Sequence, residues 1–127
     1  MSRLVLDAGA LIALDRGERP TWALIGASSA TGRAMVTHAG IVGQVWRDPR
    51  RQVRLVKALR MLEVLVLDEH LARAAGLLLA HTGTSDVHDA VLALVCRPND
   101  TVVTSDVDDI TRLLGACHLD SVNLVRP

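Results

Sequence analysis

Three stretches of this chain set acidic residues where an apolar run meets a helix. Leu4, Val5 and Leu6 run into Asp7; Thr101 to Thr104 (TVVT) runs into Ser105 and Asp106; and Asp86 and Asp89 open the segment DVHDAVLALVC, apolar after its first turn. A short continuous apolar run suits a strand buried on both faces of a parallel sheet, so Asp7 and Asp106 fall at strand C-termini. Both then stand at one edge of the sheet, the edge where open α/β proteins bind ligands. Asp89 joins them if its helix starts at that edge, and Asp86, three residues earlier, lies on the same helical face. Converging carboxylates repel one another and desolvate poorly, which a cation offsets; hard oxygen donors of this kind suit Mg²⁺ or Mn²⁺, which keep several waters and also bind phosphate oxygens. A plainer reading is local. Asp86 with Asp89, and Asp106 with Asp109, have the spacing of a helix N-cap and its third helical residue, and Asp7 before Ala8 and Gly9 fits simple turn chemistry.

The elements that must position these acids alternate along the chain. After Asp7, Ala8 and Gly9 allow a turn and Ala10 to Leu14 favour a helix; Pro20 suits the first turn of a second helix through Trp22 and Ile25. Met35 to Thr37 reads as a second strand, followed by a helical start from Ala39 to Trp46 that carries Gln44. From Pro49 to Leu62 the pattern predicts a helix with Leu55, Val56, Leu59 and Leu62 on one face and Arg47, Arg50, Arg51, Arg54 and Lys57 opposite. That basic side is either a solvated face or a stripe that attracts a nucleic-acid backbone without regard to sequence. Val64 to Leu67 predicts a third strand, His70 to Leu79 a helix, Val107 to Leu114 another, and Ser121 to Val125 a last strand. No linker, repeat or low-complexity segment interrupts the alternation, so residues 1–127 read as one α/β sandwich with a mostly parallel sheet.

Composition narrows the chemistry. Phe and Tyr are absent and Trp22 and Trp46 are the only aromatics, so the core must be aliphatic and any nucleic-acid contact lacks an aromatic stacking platform. The net charge of zero hides a division: residues 1–60 carry ten basic against four acidic side chains, and residues 61–127 the reverse. A basic surface beside an acidic one is the expectation. No apolar run approaches the length of a membrane span, and Asp7 interrupts the N-terminal one, so the chain reads as cytoplasmic with no membrane partner. Cys96 and Cys117 match no metal or redox spacing and read as reduced, buried thiols. Haloacid-dehalogenase-like phosphatases and response-regulator receivers also place an Asp after the first strand. The phosphatases need a second Asp where Gly9 stands, both classes use a lysine after a later strand, and the sole lysine here, Lys57, lies on the basic helix. Gly-rich phosphate loops, G-x-S-x-G and Cys/His zinc patterns are missing.

Taken together, VLDAGALIAL with Asp7, AGIVGQVWR with Gln44, DVHDAVLAL with Asp89, and VVTSDVDDITRL with Asp106 and Asp109 resemble the PIN-domain ribonucleases, and within them the VapC toxins of bacterial toxin-antitoxin pairs. The resemblance spans the whole chain. It implies a PIN-like three-layer α/β/α sandwich and an endoribonuclease dependent on Mg²⁺ or Mn²⁺, with Asp7, Asp89 and Asp106 as metal-binding acids and a metal-activated water attacking RNA in line. It also implies a homodimer and a VapB-like antitoxin. One position departs: Gln44 stands where the family usually has Glu, and an amide oxygen brings no charge to a cation. Asp48, one helical turn on, is a candidate substitute, or else a helix stop before Pro49. Asp86 and Asp109 are candidates to support the site, and His88, beside Asp89 but on another side of its helix, reads as structural or supporting. Gln44 also keeps open a degenerate PIN domain that binds RNA or a protein without cutting.

Overall fold

Leu4, Val5 and Leu6, all fully buried, form the central strand β1 (Leu4–Leu6). In the computed structural model, which describes residues 2–127, β1 pairs in parallel on one side with β2 (Met35–His38) and on the other with β4 (Thr101–Val103), Leu4 standing opposite both Met35 and Thr101. The outer strands β3 (Glu63–Leu65) and β5 (Asn123–Val125) complete an all-parallel sheet in the order β3-β2-β1-β4-β5. A parallel pair needs a long crossover, and helices supply it. On one side α1 (Ala8–Asp15) packs against α2 (Arg19–Ala30), α3 (Ala39–Val45) and α4 (Val53–Leu59); on the other α5 (Glu69–Thr82), α6 (Val87–Val95) and α7 (Val107–Ala116) pack together. This is the expected three-layer α/β/α sandwich. Its core is aliphatic throughout, centred on Leu4, Leu6, Leu11, Leu14, Ile25, Leu55, Leu92 and Leu113.

The strand order creates the place for a site. The chain winds outward from β1 through β2 to β3, then returns through α5 and α6 to lay β4 on the other side of β1. Between β1 and β4 the winding reverses, and such a switch point leaves a crevice at the carboxyl ends of the two strands.

Several boundaries differ from expectation. The helix predicted from Pro49 to Leu62 spans only Val53–Leu59, because residues 47–52 form a loop tied by the buried Gln52 amide: its oxygen accepts from Arg47 and Asp48 N–H at 2.8 and 3.0 Å, and its nitrogen donates to the Val45 carbonyl at 2.9 Å. The strand predicted at Val64 to Leu67 is Glu63–Leu65, set by its pairing with Val36 to His38; Val66 is left 77% exposed beyond the edge. The last strand is shortened to Asn123–Val125, while α2 ends at Ala30, within the small, polar stretch Gly26 to Gly32 where it is expected to stop. Cys96 is buried, its thiol pushed up to about 12 by burial, while Cys117 is half-buried. Among the described residues no helix is long and apolar enough to cross a membrane.

Candidate active site

Asp7 ends β1 and caps α1. It is 3% exposed; Oδ1 accepts from the Ala10 N–H at 2.8 Å and Oδ2 from the Ser105 N–H at 3.2 Å, so one carboxylate joins the start of α1 to the loop after β4. Gly9 permits that approach, since a Cβ there would run into the Ser105 side chain. Burial raises the Asp7 carboxyl above its ordinary value, against the hydrogen bonds from Thr104, Ala10, Ser105 and Gly9 that favour its charge.

Asp106 occupies the N-cap position of α7, yet its side chain makes no capping bond. Its backbone N–H donates to the buried Thr104 hydroxyl oxygen at 2.9 Å, and the Thr104 side chain also lies beside Asp7, where it favours the charged carboxylate. Thr104 thus stands between the two acids at the switch point. Asp89, on the first turn of α6, is 8% exposed and lies against the Asp106 carboxyl. Burial comes first among the causes that push its carboxyl up to about 8, followed by the negative charge of Asp86, the contact and charge of Asp106, and the charge of Asp7. A carboxyl raised in this way gives up its proton readily only when a cation stands nearby.

The other acids divide. Asp86 does cap α6, its Oδ1 accepting from the His88 and Asp89 N–H groups at 2.9 and 3.1 Å, while its charge still bears on Asp89. Asp109 lies 4.0 Å from Arg112 on α7. Asp48 stands in the loop before α4, where its Oδ1 is 3.2 Å from Arg50 Nε and its Oδ2 is 4.0 Å from Arg51 Nε. Gln44 is exposed on α3, and among the described residues no hydrogen bond joins it to Asp7, Asp89 or Asp106.

The donor set can be tested against a metal. Among the described residues no group of three or more His, Cys, Asp or Glu side chains is arranged as a ready cage. The chemistry nonetheless fits a hard cation: the donors are all oxygen, Asp89 and Asp106 are in contact, and among the described residues no ion pair compensates the cluster. Mg²⁺ is commonly held by one or two carboxylates, with water and substrate phosphate filling the remaining positions, and needs no closed protein cage.

Away from the acids, the basic stripe is uneven. Arg50 and Arg51 have side chains 89% and 88% exposed. Arg47 folds back onto the Gly43 and Trp46 carbonyls, Arg54 lies against the turn at Gly17, and Lys57 sits 5.8 Å from the Trp22 ring centroid. Three residues with no role in the sequence reading organise these regions: Thr104, Gln52 and His38. Thr104 had a signal, a hydroxyl directly before the Ser-Asp that ends β4; Gln52 had none, since an amide on an expected exposed helix gives no sign of burial.

No family model matches the chain, and no curated protein matches it. Solved structures do. VapBC2 from Rickettsia felis, crystallised bound to a DNA fragment from its promoter, superposes with a TM-score of 0.65 at 15% identity over 98% of this chain and 98% of that one. DNA-bound VapBC from Salmonella typhimurium gives 0.61 at 17% identity, covering 99% of this chain and 98% of that one. The chain therefore has a VapC-like PIN fold, as its motifs imply.

Proposed function

We propose that this chain is a divalent-metal-dependent endoribonuclease, the toxin of a type II toxin-antitoxin pair. The observation that carries this reading is the uncompensated meeting of Asp7, Asp89 and Asp106 at the switch point of a parallel sheet, where Asp89 is driven up to about 8 by its neighbours. Asp89 and Asp106 would hold Mg²⁺ or Mn²⁺ directly, with Asp7, fixed by the Ala10 and Ser105 N–H groups, presenting its carboxylate beside them. The bound cation would supply a water of lowered pKa and neutralise charge on the scissile phosphate. Burial and backbone hydrogen bonds hold the Asp7 carboxylate in place, and no Ser, Cys or His nucleophile is needed. Arg50 and Arg51, with Arg47 and Arg54 beside them, attract the RNA backbone through charge. A homodimer and a VapB-like antitoxin belong to the same reading, in keeping with the VapBC complexes that share the fold.

The test is cleavage of a cellular RNA pool by purified protein in Mg²⁺, Mn²⁺ or EDTA, comparing wild type with Asp7→Asn. Metal-dependent cutting that the substitution abolishes supports the nuclease and shows that Gln44 is tolerated. No cutting under any metal, by folded protein free of antitoxin, overturns it and leaves a PIN fold that binds without cleaving.

A further inference from the structure

Asp89 reaches the acid cluster from the first turn of α6, so whatever grips that turn sets where its carboxylate stands. Two side chains do so. Asp86 accepts from the His88 and Asp89 N–H groups, which shapes the turn but ties it to nothing outside its own segment. The outside tie is His38, a fully buried ring at the end of β2 whose Nε2 lies 2.9 Å from the His88 carbonyl oxygen. Its Nδ1 accepts from the Gly40 N–H at 3.1 Å and caps α3. An amide N–H can only donate, so Nδ1 must carry no proton; burial holds the ring below its ordinary pKa, hence neutral, and the remaining proton sits on Nε2 and points at the carbonyl. One ring therefore fastens the end of β2, the start of α3 and the residue before Asp89.

Ser, Thr, Asp or Asn would cap α3 as well as histidine does. None of them also reaches α6, so the choice of histidine is explained by the second contact. Gly40 makes the room: a Cβ there would fall 2.6 Å from His88 Nδ1 and 3.0 Å from His38 Cε1. Apart from the Asp89 contact with Asp106, no other hydrogen bond among the described residues joins the first turn of α6 to another element.

We propose that His38 is a positioning residue for the Asp89 carboxylate: through the His88 carbonyl it fixes the height and rotation of α6 against β2, and so the separation of Asp89 from Asp7 and Asp106. The proposal rests on the metal-site reading above. Its test separates the two contacts of one ring. His38→Asn keeps an oxygen near the position of Nδ1 and so keeps the α3 cap, but cannot reach α6; His38→Gln carries an amide N–H out to the position of Nε2 and keeps the tie, but loses the cap. A merely structural histidine would make both variants equally poor.

Mn²⁺ affinity, read by electron paramagnetic resonance of the free ion, is measured for wild type, Asp89→Asn, His38→Asn and His38→Gln. His38→Asn is expected to weaken binding about tenfold or more while His38→Gln stays within about threefold of wild type, the size of effect usual for residues that orient a metal ligand. In RNA cleavage the His38→Asn defect should lie in the Mn²⁺ requirement, with KM for RNA unchanged. Any other ranking of the two variants, including equal loss or no loss, overturns the role of His38 and leaves the metal site standing. A wild type that binds no Mn²⁺, or binds it undiminished after Asp89→Asn, overturns the metal site itself and the proposal with it. Should a variant fail to fold, long-range proton-nitrogen spectra of native protein decide: an Nε2-protonated His38 with a slowly exchanging proton supports the tie, and a charged or Nδ1-protonated ring overturns it.

Discussion

At the amino ends of β1 and β4, Arg3 and Asp100 are buried together, 7% and 1% exposed; at the carboxyl ends of the same two strands stand Asp7 and Asp106, with Asp89 against them. The first cluster is closed. Asp100 Oδ2 accepts from Arg3 Nη2 and from the Arg97 N–H, both at 2.8 Å, its Oδ1 accepts from the Arg3 N–H at 3.0 Å, and Arg3 Nη2 also reaches the Val95 carbonyl at 2.8 Å. Burial works against the Asp100 carboxylate, yet these bonds and the guanidinium charge bring it below its ordinary value. The second cluster is open: three acids with no ion pair to them among the described residues, and an Asp89 carboxyl displaced the other way, up to about 8. One fold thus shows what a buried charge looks like when it serves stability and when it does not. In the function proposed above, the charge left uncompensated at the switch point is what a cation would neutralise.

The contrast can be broken most forcefully at the closed end. Asp100→Ala strands the Arg3 guanidinium in the core, and urea unfolding should show a loss of about 3–5 kcal/mol, as for other broken buried pairs; a loss below about 1 kcal/mol would mean that the pair is solvated in solution. At the open end the sign reverses. Asp89→Asn removes a charge that its neighbours oppose, so in EDTA at pH 8 unfolding should show a gain of at least about 1 kcal/mol, together with loss of Mn²⁺ binding. A variant less stable than wild type under those conditions would show that Asp89 already has a compensating partner.

Proton linkage sharpens the same comparison. Asp89 binds its proton more tightly in the folded chain than in the unfolded one, so its contribution falls as pH rises from about 4 to about 8. Asp100 behaves oppositely: its contribution is intact above the ordinary carboxylate value of 3.8 and is lost as pH falls through that value toward the depressed one in the fold. Above pH 6.5, where the buried neutral His38 no longer adds the opposite slope, thermal melts in EDTA should therefore decline toward pH 8, and Mg²⁺ or Mn²⁺ should flatten that decline by taking the place of the proton. A melt that rises over this interval contradicts the assignment. The smallest expected effect on stability comes from the basic loop, where replacing Arg50, Arg51 and Arg54 with Ala should shift unfolding by less than about 0.5 kcal/mol. The same triple variant should weaken RNA binding and lower its salt slope by up to about three; an unchanged slope would remove the arginines from the RNA path.

Much of this arrangement is legible in the chain. Leu-Val-Leu before Asp7 and Val-Val-Thr before Ser105-Asp106 announce strands that end in acids, and alternation with helices makes those strands parallel members of one sheet. The capping spacing of Asp86 and Asp89 is equally legible, and Asp86 does cap. The same spacing misleads at Asp106, whose backbone turns to the Thr104 hydroxyl while its carboxyl turns to Asp89. The basic helix is shorter than expected for a related reason: its basic side continues back through Arg50 and Arg51, but Gln52 finds buried partners there and holds the chain in a loop.

What the sequence by itself determined is the period-level plan: which residues end strands, which open helices, and that aliphatic side chains alone must fill the core. Only tertiary structure decided that β4 lies beside β1 while β2 lies on its other side, and hence that Asp7, Asp89 and Asp106 face one another. It also decided that Arg3 meets Asp100 across 97 residues of chain and His38 meets the His88 carbonyl across 50. Local propensity acts over a few residues. Contacts of that span form only once strand pairing and core packing have brought distant segments together, so they leave no period in the sequence to be read.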